Sequence, residues 1–225
     1  MIQHAPREEE IIENPVGKGL GAQAYEALLD LIVSGELQPG DLIQERRLAL
    51  QLDISRTPMR EAMHRLEGER VLERTADNKL SVRRFTVQEL IEALNVRRLL
   101  EPHAAARATQ RIPAERLKGL LDRVNALLAQ GDPTSTEHQE FDDELHGLIT
   151  ESCDNRLLAE MIQELRRKTR MFSLKRLSDR LEPICREHQA IIEAMLRGDP
   201  DASAEAATRH IDNIKMRIIE KLAKS

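Results

Sequence analysis

The chain has 225 residues, of which 32% are charged and only 2% aromatic, and its formal net charge is −5. This length suits one large or two small domains, and a composition rich in Glu, Arg, Leu and Ala predicts an all-helical protein. The negative charge argues against a protein that binds nucleic acid indiscriminately, and no apolar run reaches the roughly 20 residues needed to span a bilayer.

The first 20 residues are polar and have no periodic apolar pattern, so we expect a flexible arm. Arg7 is followed by three glutamates, which differs from the basic start and apolar core of a secretory signal. The two cysteines, Cys153 and Cys185, are too few for a disulfide framework. Together these features predict a cytoplasmic protein that does not bind a membrane.

Three helices are predicted between residues 22 and 66. Apolar residues recur at helical spacing from Ala22 to Gly35 and again over Glu45–Gln51, and a tight connection at residues 53–55 leads into the third helix. Two helices joined by a short turn at this spacing are typical of a helix-turn-helix.

The third helix has one apolar and one cationic face. Its apolar stripe consists of Met59, Ala62, Met63 and Leu66. Arg56 and Arg60 lie four residues apart on the opposite face, and Thr57 is the expected N-cap before Pro58. Arginines near a helix N-terminus are placed as in helices that read base edges. On these twelve residues alone, an ordinary amphipathic helix with solvated arginines is the better interpretation.

Positive charge is concentrated around this helix. Between residues 46 and 65 there are five arginines and two acidic residues, which gives a local charge of +3. Such a patch can contact a few phosphates while the rest of the molecule repels DNA, so it favours specific over non-specific contact.

Two β-prone runs follow the third helix, at Val71–Arg74 and Leu80–Arg84. Asp77 and Asn78 between them tolerate the positive φ that a hairpin turn needs. The expected fold of this region is therefore a winged helix-turn-helix with a small β-wing.

Several short motifs lie between Ile32 and Arg84. They are Gly35-Glu36-Leu37, Pro39-Gly40, Glu45-Arg46 and Ser55-Arg56-Thr57-Pro58-Met59-Arg60-Glu61-Ala62. Together they resemble the DNA-binding domain of the GntR superfamily of bacterial transcription regulators. The resemblance implies contacts to a double-stranded operator by Arg46, Ser55, Arg56, Thr57 and Arg60.

The same resemblance implies that the wing tip, here Asn78 and Lys79, reaches the minor groove. The family usually has Gly at this turn, and this chain departs from that pattern. Asn can adopt the same backbone conformation, so we expect the wing to form.

Helical patterns separated by breakers fill the rest of the chain. Thr86 and Glu89 match a capping box at the start of a helix, and we place a domain boundary there. The helices are predicted at residues 87–110, 114–130, 136–152, 155–177, 181–197 and 200–223. The expected architecture is mainly α, with a flexible arm (1–20), a winged helix-turn-helix (21–85) and a six-helix antiparallel bundle (86–225).

Four residues of the bundle form a candidate metal-binding set. Asp142 and His146 are four residues apart on one predicted helix, and His188 and His210 lie near the apolar faces of two others. Three imidazoles and one carboxylate can enclose a divalent ion such as Zn²⁺ and leave positions open for a ligand. Any one of these residues alone is more often a surface side chain or a hydrogen-bonded core side chain.

Arg97 falls on the apolar stripe of the first bundle helix, where an unpaired guanidinium is costly. Glu101, one turn later, can form an ion pair with it. Alternatively, Arg97 faces a cavity and binds a carboxylate through a bidentate fork. The sequence leaves both interpretations open.

From Thr86 to the C-terminus the chain resembles the FCD effector domain of the FadR-type branch of this superfamily. The resemblance rests on the Asp142–His146 pair, on Phe141 and Gly147 beside it, and on one later His in each of two helices. Six rather than seven helices resembles the VanR-like group. The resemblance implies that a metal ion and Arg97 together hold a small organic acid. Zinc is the favoured ion, with nickel or manganese as alternatives.

The leading hypothesis is a homodimeric, ligand-responsive transcription regulator, and more specifically a repressor, that binds a palindromic operator. One alternative is a metal-dependent hydrolase or lyase with a His₃Asp site, in which Asp143 or Glu144 serves as general base. Another is a regulator in which the metal is purely structural or is itself the signal.

Overall fold

The structure, a computed structural model, describes residues 19–131, 135–171 and 181–223. The flexible arm predicted at residues 1–20 lies almost entirely outside this part of the chain. The chain divides between Arg83 and Arg84 into two compact units.

The first unit contains three helices and a two-stranded sheet in its described part. They are α1 (Leu20–Val33), α2 (Glu45–Gln51), α3 (Arg56–Gly68), β1 (Leu72–Arg74) and β2 (Leu80–Val82). Both α1 and α2 pack against α3. The largest fully buried side chains of this unit include Leu28, Leu48, Met59, Leu66 and Leu72.

Helix α3 begins two residues earlier than the capping prediction implied. Ser55, not Thr57, is the N-cap residue, and its backbone is extended with φ −66° and ψ 159°. The prediction of Thr57 as cap is therefore wrong. Pro58 occupies the third helical position, which is tolerated because N–H groups in the first turn have no intrahelical partner. The apolar stripe predicted for this helix is buried.

The wing is an antiparallel hairpin in which Leu72 pairs with Val82 and Arg74 with Leu80. Asn78 at its turn has a φ of 60°, so Asn replaces the usual Gly in the left-handed conformation. The winged helix-turn-helix prediction is confirmed.

The second unit contains six helices in its described part. They are α4 (Val87–Thr109), α5 (Ala114–Ala129), α6 (Ser135–Ser152), α7 (Arg156–Met171), α8 (Glu182–Leu196) and α9 (Pro200–Ala223). Helix α4 packs against α6, α7 and α9, and α8 packs against α5 and α9. The largest fully buried side chains of this core include Phe141, Leu145, Ile162, Ile191 and Ile192.

Thr86 and Glu89 form the predicted capping box at the start of α4. The Glu89 N–H donates to Thr86 Oγ1 at 3.2 Å, and the Thr86 N–H donates to Glu89 Oε2 at 2.9 Å.

Residues 172–177, the predicted end of the fourth bundle helix, lie outside the described residues. Among the described helices, none combines the length and apolar character needed to cross a membrane.

Candidate metal centre and nucleic-acid interface

The four predicted metal ligands come together in the core of the second unit. Asp142 and His146 extend from the same face of α6, and His188 and His210 reach the group from α8 and α9. One potential ligand atom from each residue lies within 4.8 Å of the others. His188 is 0% exposed and His210 is 1% exposed, so this polar group is enclosed by the bundle.

The imidazoles of this group lack the hydrogen bonds that buried polar atoms normally make. His146 Nε2, His210 Nε2 and both ring nitrogens of His188 have no hydrogen-bond partner among the described residues. His138 Nε2 is in the same state, and its ring stacks on His188 at 5.7 Å, but His138 lies outside the ligand group. Imidazole nitrogens without hydrogen bonds, one from each ring within 4.8 Å of the other potential ligand atoms, fit a bound divalent ion, which would accept their lone pairs.

The protonation states also suit metal binding. Burial lowers the pKa of His146 well below its ordinary value, and Arg166 lowers it further. Burial likewise lowers the pKa of His188. Burial alone would raise the pKa of Asp142, but the charge of Arg166 holds it well below its ordinary value. The lowered pKa values favour neutral imidazoles at His146 and His188 and an ionised carboxylate at Asp142, which are the forms that coordinate metals.

Glu187 orients one of the ligands, and the sequence analysis did not identify it. Its Oε2 lies 2.9 Å from His210 Nδ1, while Nε2 of that ring has no hydrogen-bond partner among the described residues and is available to a metal ion. Arg217 Nη1 and Asn213 Nδ2 donate to Oε1 of the same carboxylate at 2.7 and 2.9 Å. Metal-binding histidines commonly donate their second ring N–H to a carboxylate in this way. The sequence does contain an indication of this cluster, because the spacing of His210, Asn213 and Arg217 places them on one face of α9.

Arg97 forms the ion pair with Glu101 that the sequence analysis considered. Its Nε donates to Glu101 Oε1 at 2.5 Å, and its Nη1 donates to Thr169 Oγ1 at 2.8 Å. Glu101 Oε2 also lies 3.5 Å from His146 Nδ1. Burial would raise the pKa of Glu101, but the charges of Arg97 and Arg166 lower it. Glu101 therefore connects Arg97 to a metal ligand.

A cavity of about 50 Å³ adjoins this network. Its polar lining consists of Arg97, Asp142, Arg166, Thr169 and Arg170, and its apolar lining consists of Leu90, Leu94, Ile214 and Ile218. Asp142 belongs both to the cavity wall and to the metal-ligand group, and it accepts a hydrogen bond from Arg166 Nη2. Of these three arginines, only Arg97 was predicted from the sequence as a site residue.

In the first unit, α3 presents its cationic face outwards. The side chains of Arg56 and Arg60 are 65% and 58% exposed. All seven residues predicted to contact DNA are exposed: Arg46, Ser55, Arg56, Thr57, Arg60, Asn78 and Lys79. Arg74, which the sequence analysis did not identify, donates to the backbone oxygen of Asn78 at 3.3 Å and so adds a cation beside the wing tip.

Comparison with known proteins assigns both units to families. The description "Bacterial regulatory proteins, gntR family" matches residues 20–82, and the description "FCD domain" matches residues 92–213. The Nta operon transcriptional regulator of Aminobacter aminovorans is 30% identical over 140 residues, which cover 62% of this chain and 67% of that protein. The HTH-type transcriptional repressor RspR of Escherichia coli is 25% identical over 196 residues, which cover 85% of this chain and 86% of that protein.

A solved structure shares the fold over most of the chain. E. coli McbR/YncC superposes with a TM-score of 0.75 at 22% identity and covers 92% of this chain and 100% of its own.

The match to this family excludes the hydrolase or lyase alternative, because members of the family regulate transcription. The two suggested general bases are also engaged elsewhere, since Asp143 is paired with Arg170 and Glu144 with Arg123. The chain belongs to the GntR family of DNA-binding transcription regulators, in the FadR-like subfamily that carries a C-terminal FCD domain.

Proposed function

We propose that the chain is a homodimeric repressor whose affinity for a palindromic operator is controlled by a small organic acid bound beside a metal ion. One observation carries the effector part of this proposal. Asp142, a member of the His₃Asp group, also lines the cavity that Arg97, Arg166 and Arg170 surround. A ligand in this cavity can therefore contact the metal and a guanidinium at once.

The chemistry of the cavity favours a carboxylate. Guanidinium groups bind carboxylates through paired hydrogen bonds, and a metal held by four protein ligands can accept a carboxylate oxygen at a further position. Leu90, Leu94 and Ile214 supply an apolar wall for the carbon skeleton. A volume of about 50 Å³ holds only a few water-sized groups, which favours a small acid.

The donor set of three imidazoles and one carboxylate favours zinc, with nickel or manganese as alternatives. Asp142, His146, His188 and His210 would hold the ion. Once bound, it would supply a positive centre that attracts the carboxylate. Glu187 and Glu101 would keep the rings of His210 and His146 in the coordinating orientation.

The operator part of the proposal rests on α3. In helix-turn-helix dimers, two recognition helices related by a two-fold axis read the two halves of a palindrome. Arg56 and Arg60 can each form a fork onto guanine O6 and N7. The similarity to RspR, which is named a repressor, supports repression over activation. The effector would act by binding one arrangement of the dimer more tightly than another.

Substitution of the recognition arginines tests the operator part. We expect Arg56→Ala or Arg60→Ala to lower the preference for a duplex selected from a random library by about 10- to 100-fold, because each lost fork is worth about 1–3 kcal/mol. Effector and metal binding should be unchanged. Arg65→Ala is the matched control, since it removes the same charge from α3 but from a side chain that lies over the Tyr25 ring. Unchanged preference in both test variants would contradict the assignment.

Calorimetric titration with acetate, lactate and citrate, before and after chelation, tests the effector part. Binding that requires the metal supports the proposal. Binding that survives chelation would instead make the metal structural, and a DNA response to zinc alone would make the metal itself the signal.

A further inference from the structure

Glu45, the first residue of α2, holds both recognition arginines through a single carboxylate. Arg56 Nε donates to Glu45 Oε1 at 2.8 Å, and Arg60 Nε donates to Glu45 Oε2 at 2.8 Å. The two arginines are four residues apart on α3, so one carboxylate bridges consecutive turns of the helix.

We propose that Glu45 is a positioning residue for DNA reading, which holds Arg56 and Arg60 in the orientation that presents their outer guanidinium edges to base pairs. This inference rests on the proposed reading role of the two arginines.

The atoms used by Glu45 support this role. Each bridge occupies only the Nε of a guanidinium, and the Nη1 and Nη2 atoms at its outer end are the pair that can fork onto guanine O6 and N7. Both arginine side chains remain mostly exposed despite the bridges. The contacts therefore fix the direction of each side chain without covering the edge that would meet a base.

Fixing the arginines before binding also has an energetic consequence. A free arginine loses rotamer freedom when it is immobilised at an interface, and a residue that orders it in advance reduces that loss. The gain applies only where the pre-set orientation matches a base, so it increases binding to the operator and not binding to DNA in general.

The positioning role of Glu45 strengthens operator binding, whereas its negative charge weakens non-specific binding. Glu45 directly precedes the +3 region of residues 46–65, and its carboxylate reduces the attraction to phosphates, which is the main source of sequence-independent affinity. Removal of Glu45 should therefore weaken operator binding while leaving non-specific binding equal or stronger. A residue that only stabilises the fold would not change the two affinities in opposite directions.

A purely structural role for Glu45 is the alternative to exclude. An acidic residue in the first turn of a helix favours that helix through its dipole, and exposed ion pairs contribute little to folding. Glu69→Gln provides the matched control, because Glu69 also pairs with an α3 arginine, Arg65, and accepts a hydrogen bond from Tyr25. It shares no contact with Arg56 or Arg60 in these pairings.

The experiment uses the full-length protein and two DNA probes. One is a duplex that the wild-type protein selects from a random-sequence library, and the other is the same duplex with its sequence scrambled. We expect Glu45→Ala to lower the ratio of the two affinities at least about tenfold, with an unchanged or higher affinity for the scrambled duplex. Glu45→Gln, which keeps one acceptor oxygen, should lower the ratio less, and Glu69→Gln should not change it.

Thermal unfolding of each variant separates the possible outcomes. An unchanged affinity ratio in Glu45→Ala, or in Glu45→Gln if the alanine variant does not fold, overturns the inference. An equal loss of affinity for both probes also overturns it, because it would indicate a structural role alone. If the wild-type protein selects no preferred sequence, the proposed DNA reading itself fails, and that result is distinguishable from failure of the Glu45 inference.

Discussion

At the scale of single residues, His188 is the most informative side chain of the second unit. It is 0% exposed, and neither ring nitrogen makes a hydrogen bond among the described residues, although Asp142 Oδ1 lies 3.3 Å from Nε2. A buried polar atom without a partner costs about 1–3 kcal/mol. Such a cost persists in a folded protein when another interaction offsets it, and coordination of a metal ion by this ring would do so.

We therefore expect zinc to stabilise the protein through His188. A ligand that binds only the folded state, present at one hundred times its Kd, adds about 2.7 kcal/mol to the free energy of unfolding. His188→Ala should lose most of this increase because one of the four ligands is missing. Thermal unfolding with and without zinc measures the effect, and direct metal analysis gives the stoichiometry.

His103→Ala is the matched control for that measurement, since His103 is exposed on α4 and lies outside the ligand group. It should respond to zinc as the wild-type protein does. A zinc-induced rise in Tm that is equal in His188→Ala and the wild type would contradict the proposed site.

At the scale of elements, α4, the first helix of the second unit, begins with a capping box. The capping box of Thr86 and Glu89 satisfies N–H groups that the first turn of a helix leaves without intrahelical partners. Helix α4 carries Arg97 and Glu101 and packs against α6, α7 and α9. Fraying at its start would therefore loosen the helix that supports one side of the candidate site.

We expect Thr86→Ala to lower the free energy of unfolding by about 1 kcal/mol, because the hydroxyl that accepts the Glu89 N–H is lost. Urea denaturation followed by circular dichroism measures the change. Gln88→Ala alters an exposed residue of the same turn and should stay within about 0.5 kcal/mol of wild type. Equal losses of unfolding free energy in the two variants would contradict a stabilising role for the Thr86 hydroxyl.

The same elements indicate how far the sequence could predict the structure. Helix bounds in the second unit were predicted to within one or two residues where Pro, Gly or a capping residue marks an end, as at Pro113 and Gly198. The start of α3 was misplaced because Pro is accepted anywhere in the first turn, so Pro58 does not distinguish Ser55 from Thr57 as cap.

The candidate ligand group could be predicted because Asp142 and His146 lie four residues apart on one predicted helix, and because the resemblance to the FCD domain implies one later histidine in each of two helices. The residues that support it could not. Glu187 meets His210 from another helix, and Arg166 meets Asp142 from another helix. Such contacts depend on which helices pack together and how they are rotated, and the periodicity of one sequence does not determine either. For the same reason the pairing of Arg97 with Thr169, 72 residues apart, was not foreseen.

At the scale of the whole molecule, the distribution of charge separates specific from non-specific binding. The chain carries a net charge of −5, while residues 46–65 carry +3. The net negative charge repels DNA at long range, and the positive region attracts phosphates nearby. Affinity for DNA therefore depends on close contact by the recognition helix. A single helix-turn-helix offers few such contacts, so a second copy of the chain is the expected source of the remaining affinity.

The second unit offers apolar surface for such a dimer. On α4, Leu99 is 71% exposed and Val96, three residues earlier, is 39% exposed. Large side chains exposed in this way are common at contacts between subunits. We expect the wild-type protein to sediment as a dimer and Leu99→Asp to weaken dimerisation on the order of 100-fold, because a buried unpaired carboxylate is strongly unfavourable.

Sedimentation over a range of protein concentrations measures the dimer dissociation constant, and binding to the selected duplex measures the functional consequence. The monomeric variant should lose operator affinity, since the two half-sites would no longer be bound by linked recognition helices. It should still bind zinc, because Leu99 is not part of the ligand group.

Leu20→Asp is the control variant. It changes a leucine of 66% exposure in the first unit and should dimerise as the wild type does. A wild-type protein that remains monomeric at all concentrations would contradict the dimeric proposal, and an unchanged dissociation constant in Leu99→Asp would place the contact on another face.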